Sequence, residues 1–127
     1  MENLSERAAM VRVDDTTFEA EVIRSPLPVV VDFYADWCAP CRVVQPTLRE
    51  LALSLSGRVK FAQVNVDEAE VVTRSFGIHA IPTYLFIESG TEKGREVGPI
   101  DLVAFRAVLK RYFVKGASSS GGTPASR

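Results

Sequence analysis

Two cysteines, Cys38 and Cys41, are the only ones in a chain of 127 residues, and both lie in the stretch Trp37-Cys38-Ala39-Pro40-Cys41. Two thiols with two residues between them can close a disulfide across a small ring. Where a strand hands over to a helix, that spacing is a redox motif. The stretch follows the apolar run Val29-Val30-Val31-Asp32-Phe33-Tyr34 and precedes a segment of helical period. Cys38 therefore falls at a helix N-terminus, where unpaired backbone N–H groups and the positive end of the helix dipole favour a thiolate. The thiolate is the form that attacks a substrate sulfur, and Cys41, one turn on, can resolve the product. Pro40 suits the first helical turn, where its missing N–H costs nothing. A structural zinc site needs four ligands, and the chain offers these two thiols and one histidine, His79. No metal is expected within one chain. A cluster shared between two chains is the remaining metal reading.

The elements that must position this pair can be read from pattern. Residues 9–13 suggest a short edge strand. Asp14 or Asp15 offers an N-cap oxygen to the helix that follows, with Thr16 and Glu19 spaced as a capping box and Phe18, Val22 and Ile23 on one face. Pro26 and Pro28 stop that helix. The run Val29–Tyr34 predicts a central strand covered on both faces, and Asp32 is an expensive carboxylate within it. Near the thiols it would have a raised pKa and could take the proton of Cys41, directly or through water; the plainer reading is a carboxylate satisfied by local hydrogen bonds. Val44, Leu48, Leu51, Ala52 and Leu55 mark one face of a helix that Gly57 ends, with Pro46 inside it. Residues 59–66 read as the next strand. A short helix is expected from Asp67 to Ser75, with Gly77 closing it. Tyr84 to Ile87, the turn Ser89-Gly90 and Arg95 to Val97 form a hairpin signal, and residues 100–113 a last helix with Leu102, Phe105, Leu109, Tyr112 and Phe113 inward. Strand–helix alternation followed by a hairpin predicts an α/β domain with a partly parallel sheet.

Length and composition fit one such domain. Hydrophobic residues make up 46% and charged residues 24%, with a net charge of −1, so a core can form without a disulfide staple and the cysteine pair is free for chemistry. No basic block points to nucleic acid, no run reaches membrane-spanning length, and residues 1–7 carry no apolar segment of signal-peptide kind. The reducing cytoplasm is the expected compartment. The domain is placed at residues 9–115, between a flexible segment 1–8 and a disordered Ala-, Ser-, Gly- and Pro-rich tail 116–127.

From roughly residue 9 to residue 113 the chain resembles the thioredoxin family. The resemblance rests on Val31-Asp32-Phe33-Tyr34-Ala35-Asp36-Trp37-Cys38-Ala39-Pro40-Cys41, on Val64-Asn65-Val66-Asp67, on Phe76-Gly77-Ile78-His79-Ala80-Ile81-Pro82-Thr83 and on Val97-Gly98, in the order and spacing of that family. It implies a thioredoxin fold, a central mixed sheet flanked by helices on both faces, and reduction of disulfides in protein substrates. Cys38 would attack, Cys41 resolve, Asp32 assist proton transfer, and Pro40 keep the disulfide hard to reduce. Pro82 would follow a cis bond, with the backbone before it pairing with a substrate strand, and Trp37, Ile81, Pro82, Gly98 and Pro99 would form the docking surface. No cofactor would be bound; a separate flavin-dependent reductase would regenerate the dithiol, and the chain is expected to act as a monomer. A Gly-rich dinucleotide fingerprint is absent from the sequence.

The sequence departs from the family at three places. Gln63 stands where a lysine commonly faces the aspartate, which should leave Asp32 harder to ionise. Ala39 replaces a glycine and stiffens the loop, favouring helix by up to ~1 kcal/mol. Tyr34 replaces a tryptophan and adds a hydroxyl. His79 could tune substrate preference or be incidental. The rival readings are a thiol oxidase or isomerase, and a binding or scaffold subunit that uses the docking surface without redox turnover.

Overall fold

Three consecutive valines and two aromatics make Val29–Tyr34 a strand, and strand β2 buries all six of its residues. Such a strand must lie in the interior of a sheet. The computed structural model describes residues 10–113; the expectations for segments 1–8 and 116–127, and the outer limits of the domain at 9 and 115, fall outside the described residues. Within them the order is β1 (Met10–Val13), α1 (Glu19–Ile23), β2 (Val29–Tyr34), α2 (Ala39–Ser54), β3 (Lys60–Asn65), α3 (Glu70–Ser75), β4 (Thr83–Glu88), β5 (Thr91–Val97) and α4 (Leu102–Tyr112). The strands lie in the order β1-β3-β2-β4-β5. β1, β3 and β2 run parallel, and β4 and β5 are antiparallel to their neighbours. This is the mixed sheet of a thioredoxin fold, with β2 at its centre.

Helices cover both faces. On one, Val44, Leu48, Leu51 and Ala52 of α2 and Phe105, Val108 and Leu109 of α4 pack on Val30, Phe61, Tyr84 and Phe86. Aromatic rings fill the α4 side, with Phe105 5.2 Å from Tyr84 and 5.8 Å from Phe86 between centroids. On the other face, Phe18, Val22 and Val72 pack on Val29, Val31, Phe33, Ala62, Val64 and Leu85. In α4 the buried residues are Phe105, Val108 and Leu109, while Leu102, Tyr112 and Phe113 are only partly covered. All five residues read as inward pack on this core, and Val108 joins them.

The loop after β1 takes its capping oxygen from Asp14, as expected, and corrects the box. Asp14, not Thr16, begins the turn: its carboxylate accepts from the N–H groups of Thr16 (2.9 Å) and Thr17 (3.1 Å), while its own N–H donates to Thr17 Oγ1 (3.0 Å). The reciprocal box is thus Asp14 with Thr17, not Thr16 with Glu19. α1 is wound as a π-helix, and Arg24 N donates to Glu19 O at 2.9 Å. Asp15 serves another helix. α3 starts at Glu70 rather than Asp67 and has no local side-chain cap. Asp15 supplies one from 56 and 57 positions away, accepting from Val71 N (3.2 Å) and Val72 N (2.8 Å). The β4–β5 hairpin turns on Ser89 (φ 53°) and Gly90 (φ 78°), two successive left-handed residues of a type I′ turn.

Candidate active site

Cys38 and Cys41 form a disulfide at the start of α2. Cys38 has extended backbone (φ −91°, ψ 106°) and is the N-cap, its sulfur accepting the N–H of Cys41 at 3.2 Å. A sulfur thus occupies the place where a Ser or Asp oxygen would normally satisfy an orphan donor. After reduction, the same N–H and the helix dipole would stabilise a Cys38 thiolate. Ala39 and Pro40 are exposed in the first turn, with Pro40 among the first two helical positions. Both sulfur-bearing residues are buried, packed with Tyr34 and Ala35 and against Val66 and Ile81.

Asp32 lies on β2, 2% exposed, and shares a row with Gln63 of β3 on one side and Tyr84 of β4 on the other. Its Oδ2 accepts from the side-chain amides of Gln45 (3.2 Å) and Gln63 (3.4 Å), and Gln63 Nε2 also donates to Gln45 Oε1 at 3.0 Å. Its Oδ1 has no partner among the described residues. Burial pushes the Asp32 carboxyl up to about 7, against the downward pull of the Gln63 and Gln45 amides. Burial, reinforced by the charge of Asp32, raises Tyr84 as well. Cys41, Gln45 and Gln63 line one cleft of about 210 Å³, with Arg12, Tyr34 and Arg42 at its walls. The cleft therefore connects the buried thiol to the two amides that hold the carboxylate.

Gln45 was not singled out from the sequence. Its signal was present: it stands four residues after Cys41 on the predicted helix, hence on the same face. Gln63 faces Asp32 as expected, and the second amide was the missing half of the arrangement.

The residues read as a docking surface are reached through the loop before β4. The Ile81–Pro82 peptide is cis. Ile81 O lies 3.9 Å from Cys38 Sγ. Gly98, at φ 96°, donates its N–H to Pro82 O at 2.8 Å. Pro82 is buried, Ile81 half-buried and Pro99 exposed. Trp37 is 68% exposed, and its Nε1 donates to Asp67 Oδ2 at 2.8 Å, so an exposed ring is nonetheless tethered. Asp67 was part of the recognised pattern without an assigned task. His79 is exposed in the loop between α3 and β4. Among the described residues no cluster of three or more His, Cys, Asp or Glu could hold a metal ion, and no helix is long and apolar enough to cross a membrane.

A redox cysteine pair whose first sulfur caps a helix beside a cis-proline loop, on a mixed sheet with a buried carboxylate, defines a thiol–disulfide oxidoreductase. Comparison with known proteins gives the family. The thioredoxin family model matches residues 9–111. Thioredoxin of Rickettsia bellii is 42% identical over 86 residues, 68% of this chain and 82% of that protein. Thioredoxin 1 of a Nostoc species is 37% identical over 105 residues, 83% of this chain and 98% of that one. The chloroplastic M-type thioredoxin of Pisum sativum is 36% identical over 100 residues, 79% of this chain and 58% of that one. The chain belongs to the thioredoxin family. Its Cys38–Cys41 disulfide is the redox-active centre, and it acts as a thioredoxin-type protein-disulfide reductase, the electrons passing between sulfur pairs without a cofactor.

Proposed function

We infer that Cys38 is the attacking residue, Cys41 the resolving one and Asp32 the acceptor of the Cys41 proton. The observation that carries this is the asymmetry of the two sulfurs: Cys38 Sγ caps α2 and lies beside Ile81 O, whereas Cys41 lines the cleft with the amides that hold Asp32. A Cys38 thiolate attacks one sulfur of a substrate disulfide and forms a mixed disulfide, releasing the other as a thiolate. Cys41, relieved of its proton, then attacks Cys38 Sγ. The intramolecular disulfide returns, and the substrate leaves with both sulfurs reduced.

Trp37, Ile81, Pro82, Gly98 and Pro99 serve as the docking surface, with the backbone at Ile81 offered to an extended substrate segment. Pro40, fixed in the first turn, helps to hold the disulfide in a reductase-type site. A separate flavin-dependent reductase returns the dithiol, the compartment is the reducing cytoplasm, and the unit is a monomer of residues 9–115.

Trapping tests the order of attack. Mixed with a disulfide-bonded protein after reduction, the Cys41→Ser variant should accumulate a covalent adduct through Cys38. The Cys38→Ser variant should form none and lose at least about 10³-fold in turnover. Adducts that form through Cys41 in the Cys38→Ser protein at the wild-type rate would reverse the assignment.

A further inference from the structure

The buried carboxylate is held in a way that distinguishes its two oxygens. Oδ2 receives two N–H donors, from Gln45 at 3.2 Å and Gln63 at 3.4 Å; Oδ1 receives none from the described residues. A carboxylate oxygen has two in-plane sites for hydrogen. With both of those on Oδ2 facing amide donors, an arriving proton must go to Oδ1. The two amides are not equivalent. Gln63 Nε2 is shared between Asp32 and Gln45 Oε1, and its shorter bond, 3.0 Å, is to Gln45. Gln45 thus gives the shorter direct bond and also anchors the other donor. It stands on α2, one turn beyond Cys41, and lines the same cleft as that thiol.

We propose that Gln45 is a positioning residue for the exchange reaction, its side-chain amide tying the Asp32 carboxylate to the helix of Cys41 and leaving Oδ1 as the oxygen that takes the proton. The catalytic consequence rests on the reading of Asp32 as proton acceptor; the clasp itself does not. In the resolving step the Cys41 thiol gives its proton to Asp32 Oδ1. The thiolate so formed attacks Cys38 Sγ, and the Cys38–Cys41 bond forms as the bond from Cys38 to the substrate sulfur breaks. That electron pair leaves on the substrate sulfur, which takes a proton from water. The dithiol is oxidised and the substrate disulfide reduced, and Asp32 later returns its proton to solvent.

The other ionisable groups about Asp32 are accounted for. Tyr84 adjoins it on β4 and Tyr34 follows two residues on along β2, while Cys41 lies on α2. Arg12 and Glu96 close the ends of its row on β1 and β5. None of them supplies the hydrogen bonds to Oδ2, so removal of Gln45 is felt at Asp32 as the loss of donors to its charged form.

Carboxyl NMR titration of the reduced protein reads the clasp directly, and the pH profile of mixed-disulfide resolution reads its consequence. In Gln45→Ala the Asp32 midpoint should rise by about one unit. From a midpoint of about 7, that rise should slow resolution at pH 7 about fivefold, with recovery at higher pH. A general loss of packing would not move the profile in this way. In an Asp32→Asn background, Gln45→Ala should leave the pH profile of resolution unaltered. An Asp32 midpoint in Gln45→Ala within about 0.2 unit of the wild type would overturn the proposal. A resolution profile unchanged by Asp32→Asn alone would instead remove the proton-acceptor reading, and the NMR midpoint would still report whether Gln45 holds the carboxylate.

Discussion

Two neighbouring rows of side chains cross the sheet. One runs Val11, Ala62, Val31, Leu85, Arg95; the next runs Arg12, Gln63, Asp32, Tyr84, Glu96. Successive residues of a strand point to opposite faces, so the first row meets α1 and α3 and the second meets α2 and α4. At the centre both are equally sealed, with Val31 at 0% and Asp32 at 2% exposure. The first row is apolar from β1 to β4 and yields to a charge only at the β5 edge, where Arg95 pairs with Glu92 at 2.7 Å. The second is polar at every strand, and two of its deepest oxygens, Asp32 Oδ1 and Tyr84 Oη, have no partner among the described residues. One face is built for cohesion. The other gives up cohesion along the row that carries Asp32.

If the clasp is what makes the second row tolerable, a carboxylate moved by one residue should not be. Val31→Asp places a charge among Val29, Phe33, Ala62 and Leu85 with no amide to receive it. The expected loss is more than about 5 kcal/mol, enough to unfold the domain, as judged by denaturant titration at pH 7. A Val31→Asp protein that folds within about 2 kcal/mol of the wild type would show that the sheet accepts a carboxylate anywhere.

The next test removes the charge from the polar row. Asp32 binds its proton more tightly folded, at about 7, than at the ordinary 3.8. Between those values the folded state holds the extra proton, so stability must fall as pH rises. The contribution is fully present below the ordinary carboxyl range and is lost as pH passes through 7. At pH 8 the wild type should stand up to about 4 kcal/mol below its Asp32→Asn variant, and the gap should close toward pH 4. Parallel stability curves for the two proteins over that range would mean that Asp32 is not destabilised by burial.

Most of this architecture is legible in the chain because its signals are local. Val29–Tyr34 announces a covered strand by composition, Ser89-Gly90 announces its turn by backbone freedom, and the cysteines announce the end of a strand and the start of a helix. What the sequence did not disclose joins residues far apart. Asp15 caps α3 from 56 residues away, a bond that no window about Glu70 can contain. Gln45 lies between these cases. Its helical offset from Cys41 was visible, but its meaning required the register that puts Gln63 of β3 beside Asp32 of β2. The box at Asp14 is a local exception: Thr17, three residues on, rather than Thr16, is the residue whose hydroxyl returns to the Asp14 N–H.

The smallest expected effect concerns the far side of the polar row. Tyr84 is fully buried, opposite Asp32 on β4, with its ring 5.2 Å from that of Phe105 and its hydroxyl unpartnered among the described residues. Replacement by phenylalanine keeps the ring contact and removes only the oxygen, so the cost of an unpaired buried hydroxyl is relieved without a cavity. Tyr84→Phe should therefore stabilise the domain by about 1 kcal/mol in urea titration and leave the Asp32 midpoint where it was. The alternative is a hydroxyl that donates to Oδ1 in solution. Its loss would then destabilise the domain and raise the Asp32 midpoint, because a donor to the charged form would be gone. That result would extend the clasp to both carboxylate oxygens and make Tyr84 a competitor for the site at which the Cys41 proton arrives. A stabilised variant with an unmoved midpoint would confine the proton machinery to the Gln63 side of Asp32 and leave Tyr84 as ring packing alone.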